Sequence, residues 1–129
     1  MQIEHIAIWT NQLEQMRAFY EKYFQARAGE KYQNAAKQFE SYFLSFSSGA
    51  QLELMSRPGI SEIKNEAEEH LAGYTHVCIA CGSEETVDEM TERIRNDGYR
   101  VVSGPRHTGN GYYESVVLDP DGNRVEITV

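Results

Sequence analysis

The chain spells one pattern twice. His5 opens a run with Ile6 and Ile8 at +1 and +3 and small Ala7 between them, and His76 does the same with Val77, Ile79 and Cys78. Each histidine is followed, about fifty residues later, by a segment with a glutamate at its centre. These segments are Gly49-Ala-Gln-Leu-Glu-Leu54 and Gly122-Asn-Arg-Val-Glu-Ile127, which set Glu53 and Glu126 in equivalent places. A duplication in phase, with matched spacing, restricts the chain to two copies of one supersecondary unit.

Each copy reads as strand, helix and then three strands. In the first, Ile3–Thr10 is β-rich, with His5 and Ala7 on one face and Ile6 and Ile8 on the other. Asn11, with Glu14 three residues on, predicts a helix N-cap. Leu13, Met16, Phe19, Tyr20 and Tyr23 then recur at helical spacing. Strands are expected near Ala26–Tyr32, at Phe39–Ser47 and at Gln51–Ser56. In the second copy Tyr74–Ala80 is a strand, and Ser83 caps a helix whose first turn holds Glu84 and Glu85. The inner stripe of that helix is Val87, Met90, Thr91 and Ile94, and Gly98 ends it. Tyr99–Ser103 reads as a strand, Gly104–Gly111 as a loop with three glycines, and the remainder as a hairpin.

The turn of that hairpin, Asp119-Pro-Asp-Gly122, has type I chemistry, because proline pre-sets φ and glycine closes the turn freely. After it Arg124, Glu126 and Thr128 point one way and Val125, Ile127 and Val129 the other. A carboxylate in the middle of such a strand needs a partner or a metal. The acidic stretch 58–72, with Glu62, Glu66, Glu68 and Glu69, separates the copies and reads as a linker with a short solvated helix; His70 within it is assigned to the surface. The expected organisation is one domain over 1–129, made of modules 1–57 and 73–129.

The net charge of −8, without a basic cluster, argues against nucleic acid and anionic membrane surfaces as partners. No apolar run approaches a membrane span, and Met-Gln-Ile-Glu-His lacks the form of a signal peptide. A cytoplasmic location is expected. Cys78 and Cys81 are spaced Cys-x-x-Cys, but Cys78 falls inside a strand rather than at a helix N-terminus, so the pair reads as reduced thiols.

If the halves pack with pseudo-two-fold symmetry, the first and last strands of each half are neighbours and His5, Glu53, His76 and Glu126 can converge. Two imidazoles and two carboxylates suit one divalent metal (Zn, Ni, Co, Mn or Fe) and leave positions open for water or substrate. Such an ion polarises a carbonyl, and a carboxylate beside it can move a proton at carbon.

At these residues the chain resembles the glyoxalase/bleomycin-resistance/extradiol-dioxygenase superfamily, the vicinal oxygen chelate proteins. The resemblance spans the whole chain. It is carried by His5-Ile-Ala-Ile, Phe19-Tyr20 with Tyr23-Phe24, Gln51-Leu-Glu-Leu, Tyr74-Thr-His-Val and Asp119-Pro-Asp-Gly-Asn-Arg-Val-Glu-Ile. It implies an α+β fold of two tandem βαβββ modules, each curling into half of a cup, a small-molecule substrate, and a homodimer. The closest functional pattern is lactoylglutathione lyase (glyoxalase I), which uses histidine, glutamate, histidine, glutamate in this order. That enzyme isomerises a hemithioacetal through a metal-bound enediolate.

Carried over, the resemblance implies His5, Glu53, His76 and Glu126 as metal ligands, with Glu126 as the base and Glu53 as the second carboxylate, or the two exchanged. Glutathione-using members carry an arginine on the first strand where this chain has Trp9-Thr10-Asn11, and an asparagine beyond the second ligand where it has Arg57. The thiol carried by the substrate therefore stays open. Tyr42, Arg57, His107, Tyr112 and Tyr113 sit on strands or loops that would face the cup; for the tyrosines core packing is the favoured reading, and His107 is either part of a lid or a surface histidine. The alternatives are an antibiotic-sequestering resistance protein of the bleomycin type, or another enzyme of the superfamily such as an epimerase or dioxygenase.

Overall fold

The computed structural model describes residues 1–61 and 72–129. The chain divides into two compact units, Met1–Ile63 and Lys64–Val129. Most of the acidic stretch between the repeats, including His70 and the expected short helix, lies outside the described residues.

The first unit runs β1 (His5–Trp9), α1 (Leu13–Phe24), β2 (Arg27–Ala28), β3 (Tyr32–Asn34), β4 (Phe39–Ser45) and β5 (Gln51–Ser56). Its sheet has the order β1-β5-β4-β2, with β3 paired on β4. The parallel pair β1–β5 sets His5 opposite Gln51 and Ala7 opposite Glu53. Helix α1 buries Leu13, Met16, Phe19, Tyr20, Tyr23 and Phe24, the stripe that helical periodicity requires. It packs on the sheet face that carries Leu44, Leu52 and Leu54, each at most 2% exposed. Each such leucine contributes about 1.5–3 kcal/mol by leaving water.

Two local expectations are corrected here. Asn11 does not cap α1: the cap position is Gln12, without a side-chain bond. The Thr10 hydroxyl instead accepts from the Gln12 N–H at 2.9 Å, and the Asn11 amide donates to the Ile60 carbonyl at 3.2 Å. The strand expected at Ala26–Tyr32 is two short strands, β2 and β3, both on β4.

The second unit runs β6 (His76–Ala80), α2 (Glu84–Asn96), β7 (Val101–His107), β8 (Tyr113–Leu118) and β9 (Arg124–Thr128), in the order β6-β9-β8-β7. Its parallel pair β6–β9 sets His76 opposite Arg124 and Cys78 opposite Glu126. The Ser83 hydroxyl accepts from the Thr86 N–H at 3.1 Å and caps α2. Val87, Thr91 and Ile94 are its buried residues, with Met90 at the margin. Past the helix Gly98 takes a φ of +92°, a conformation that a side chain would strain.

Strand β7 runs through much of the expected three-glycine loop, reaching His107 with two register shifts against β8. Those bulges absorb Gly104 and Pro105, which cannot continue a regular ladder. The last turn closes as its composition requires, with the Gly122 N–H donating to the Asp119 carbonyl at 3.0 Å. The Asp119 carboxylate, 3% exposed, also accepts from the backbone N–H groups of Asp121 and Asn123 and from the Asn123 amide. The α+β class and the two-sheet, repeated arrangement agree with expectation, and neither sheet closes into a barrel.

Candidate functional site

Strand parity builds the same pair in each unit. Leu52 and Leu54 point to α1, so Glu53 between them points to the opposite face of the sheet. His5, one diagonal step away on β1, shares that face, and its Nε2 stands 3.8 Å from Glu53 Oε2. In the second unit Val125 and Ile127 are fully buried, Glu126 turns away from them, and His76 Nε2 stands 3.6 Å from Glu126 Oε2. The two carboxylates are largely covered, with side chains 14% and 17% exposed, while both imidazoles are 40% exposed.

The residue before each histidine sets which ring nitrogen is available. The Glu4 carboxylate engages His5 Nδ1, and the Thr75 hydroxyl lies 3.1 Å from His76 Nδ1. In both rings Nε2 is left facing the glutamate, the arrangement in which a second partner orients a ligating imidazole. The bond to Glu4 raises the His5 pKa against the opposing effect of burial, with Glu53 adding a smaller upward push. Phe43 meets the His5 ring edge-on at 5.4 Å between centroids.

The surroundings of the two glutamates differ. Ala7 faces Glu53, whereas Cys78 faces Glu126. Neighbouring strands withdraw the Cys78 thiol from solvent on one side, and a hydrogen bond to the Glu126 carboxylate adds to this, so its pKa is pushed up to about 12. Cys78 and Cys81 are free thiols. Strand alternation in the sequence puts Cys78 on the face of His76, and the β6–β9 register sets it directly opposite Glu126. Arg106 pairs with Glu114 at 3.2 Å on the neighbouring strands.

Several expected pocket residues lie elsewhere. Tyr42 pairs with Leu54 rather than Glu53, so it faces α1. It is buried, its hydroxyl donates to Glu14 at 3.1 Å, and Arg17 lies over its ring. Tyr113 has the parity of Ser115 and Val117, both buried in the core, and its hydroxyl donates to Asp88 of α2 at 2.8 Å. His107 ends β7 against the Tyr113 ring, 3.9 Å from Glu84, so it too belongs to the helix side and not to a lid. Tyr112 is an exposed turn residue whose carbonyl accepts from Thr108. Arg57 alone of these lies on the glutamate face, where its guanidinium covers the Trp9 ring at 5.1 Å.

The donor set fits a divalent ion. Nitrogen and oxygen donors on one such ion stand about 3.0–3.4 Å apart, and each observed pair needs only a few tenths of an ångström of side-chain movement to reach that. Within each unit the set stops at two donors; among the described residues no group of three or more His, Cys, Asp and Glu is gathered for a metal.

Comparison with known proteins places this geometry in context. The sequence profile of the Glyoxalase/Bleomycin resistance protein/Dioxygenase superfamily matches residues 2–127. An uncharacterized protein of Bacillus subtilis, YqjT, is 38% identical over 58 residues, 43% of this chain and 45% of its own length. A structure of a possible glyoxalase from Bacillus cereus is similar over 100% of this chain and 99% of its own, with 27% identity and a TM-score of 0.73. Glyoxalase I from Zea mays shares the fold at 20% identity and a TM-score of 0.79 over 98% of this chain. The chain spans 44% of that enzyme's length.

Proposed function

Because the chain belongs to the glyoxalase/bleomycin resistance protein/dioxygenase superfamily, we propose that it is a divalent-metal-dependent lyase or isomerase of the lactoylglutathione lyase type. Its substrate is a small oxygenated compound, a thiol adduct of a carbonyl among the candidates. The observation that carries this reading is the construction of the same histidine–glutamate pair twice, at the same register position of two sheets. A single half-buried histidine beside a glutamate is an ordinary ion pair; a duplicated one, with both Nε2 atoms directed alike, is a ligand set.

His5, Glu53, His76 and Glu126 are proposed to hold the ion. When bound, it supplies polarisation of a substrate oxygen and a place for the negative charge that develops there. The chain's own residues do the rest. The imidazoles, fixed at Nδ1 by Glu4 and Thr75, keep Nε2 in place. Glu126 takes the proton from a substrate carbon, the C–H electron pair moves toward the neighbouring carbonyl, the hydroxyl proton on the first carbon passes to that carbonyl's oxygen, and the resulting acid returns the carbon proton to the adjacent carbon. The step is an isomerisation, with no net oxidation. Glu126, 17% exposed and beside the His76 imidazole, is placed to carry a proton between neighbouring substrate carbons.

The test is metal analysis of protein purified without chelator, joined to proton exchange at the substrate carbon followed by NMR in deuterated water. Hemithioacetals of methylglyoxal with several thiols serve as substrates. About one divalent ion per four-residue set is expected, together with exchange that depends on Glu126. No bound metal, and thermal stability indifferent to added Ni, Co or Zn, would contradict the proposal. Binding of a compound without turnover would move the chain to the sequestering proteins of the superfamily.

A further inference from the structure

The repeat that matches at its histidines and glutamates is broken one row further along the second sheet. Glu53 faces Phe43 across β4–β5 and Glu126 faces Val116 across β8–β9, so Phe43 and Val116 hold equivalent places. Two residues earlier the first unit has Ser41 and the second has Glu114, each on the face of its own glutamate. Glu114 is a largely covered carboxylate, 12% exposed, and it pairs with the Arg106 guanidinium at 3.2 Å. Another nitrogen of that guanidinium donates to the Ser103 hydroxyl at 2.8 Å. Strand β7 bends to make this possible. Ser103 pairs with Val116 and Arg106 with Glu114, so three steps of β7 lie against two of β8. In a regular strand Ser103 and Arg106 would point to opposite faces. The bulge turns both to the face of Glu126, the re-aiming of a side chain for which bulges beside reaction centres are known.

We propose that Arg106 and Glu114 form a hydroxyl-binding subsite, which makes the substrate an oxygenated compound with one or more hydroxyl groups beyond its reacting carbons. The inference rests on the reading of Glu126 as part of the reaction centre. Glu114 is the diagonal neighbour of Glu126, about 7–8 Å from it between backbones, so a short carbon chain leads from one carboxylate to the other. The ion pair carries no net formal charge, which removes the advantage of a charged ligand: a carboxylate meets Glu114 and an ammonium meets Arg106. A hydroxyl both donates and accepts. It donates to the Glu114 carboxylate and accepts from the guanidinium without parting the two. Arg106 is 49% exposed, and its bonds to Glu114 and Ser103 already fix its orientation, so little freedom is lost when the ligand arrives. A pair that served only to join β7 and β8 could stand in any row of the ladder; this one stands in the row next to Glu126.

The probes are glycerohydroxamate and propanohydroxamate, which share a metal-binding head and a three-carbon chain and differ only in two hydroxyl groups. Each is titrated into the full chain, zinc-loaded and metal-free, and followed by NMR at the side-chain Nε–H of Arg106. Glycerohydroxamate is expected to bind the zinc-loaded protein about ten-fold more tightly and to move that signal, because hydrogen bonds to charged groups carry effects of this size. Glu114→Ser, which installs the residue of the equivalent place in the first unit, and Arg106→Gln should each abolish the preference, and Arg106→Lys should retain part of it. Metal uptake and the unfolding midpoint of each variant report that it folds. Equal binding of the two probes, or a preference that survives both Glu114→Ser and Arg106→Gln, overturns the subsite and leaves the pair as a tie between strands. Absence of metal uptake, with an Arg106 signal that answers to glycerohydroxamate alone, defeats the lyase reading and leaves the subsite standing. Metal uptake with equal affinity for the two probes defeats the subsite alone.

Discussion

Glu126 faces Cys78 across the parallel pair β6–β9, at the register position where Glu53 faces Ala7 across β1–β5. The duplication is thus symmetric in its histidine–glutamate pairs and asymmetric beside them: a thiol stands next to one glutamate and a methyl group next to the other. Removing the thiol takes away the polar neighbour that the Glu126 carboxylate has across the ladder. Cys78→Ala is expected to weaken metal binding by about ten-fold, and Cys78→Ser to restore it, since groups that orient ligands carry effects of that size. Competition for cobalt with a chromophoric chelator measures both.

The exposed imidazoles contribute to the proposed site more than to the fold. His5→Ala and His76→Ala should each abolish stoichiometric metal uptake while shifting the stability of the metal-free protein by no more than about 0.5 kcal/mol. Metal analysis and urea unfolding of the same samples separate the two effects. A large loss of stability in the metal-free state would assign the histidines to the fold instead.

Asp119 is expected to be the costliest turn residue. Its buried carboxylate accepts three hydrogen bonds within the last turn, at 3.0, 2.9 and 2.9 Å. Asp119→Ala leaves those donors unpaired and should destabilise the protein by about 2–3 kcal/mol. Asp119→Asn keeps one acceptor oxygen and should lose less. Denaturant midpoints at constant slope are the measurement.

Thr91 of α2 and Ser115 of β8 share a hydrogen bond of 2.6 Å with both side chains fully buried. Thr91→Val orphans the serine hydroxyl and should cost about 1–3 kcal/mol. Adding Ser115→Ala removes the stranded group and should recover part of the loss. A double-mutant cycle by urea unfolding reads the coupling directly.

Acid sensitivity should centre on the helix side of the first sheet, at Glu14 and Glu40. Burial raises the Glu14 pKa, but hydrogen bonds from Lys31 and Tyr42 and the charge of Arg17 outweigh it, and the result lies below the usual value of 4.5. Glu40 is lowered as well, chiefly by Gln33 and Lys31. Groups lowered by folding add stability above the unfolded value, and that stability disappears as pH falls through the folded one. Glu14→Gln is therefore expected to flatten the fall of Tm below pH 4.5. Because the pair is substantially exposed, its loss near neutral pH should be no more than about 1 kcal/mol. Thermal melts across that range test the sign.

The sequence by itself determined the repeat, the helix stripes, the last turn and the four residues of the candidate set. Each of these depends on period and spacing within one segment. Leu13, Met16, Phe19, Tyr20 and Tyr23 cannot all be buried except on one side of a helix, and Glu53 between two leucines cannot face the core with them. Tertiary structure decided which residues of other strands share the face of those glutamates. Alternation along β4 leaves open whether Tyr42 or Phe43 stands beside Glu53; the antiparallel register chooses Phe43 and sends Tyr42 to the helix. The same rule sends Tyr113 to α2 and brings Cys78 to Glu126. A shift of one residue in pairing exchanges the two faces of a strand. Register is set by the whole sheet and its packing, and no single segment of the sequence contains it.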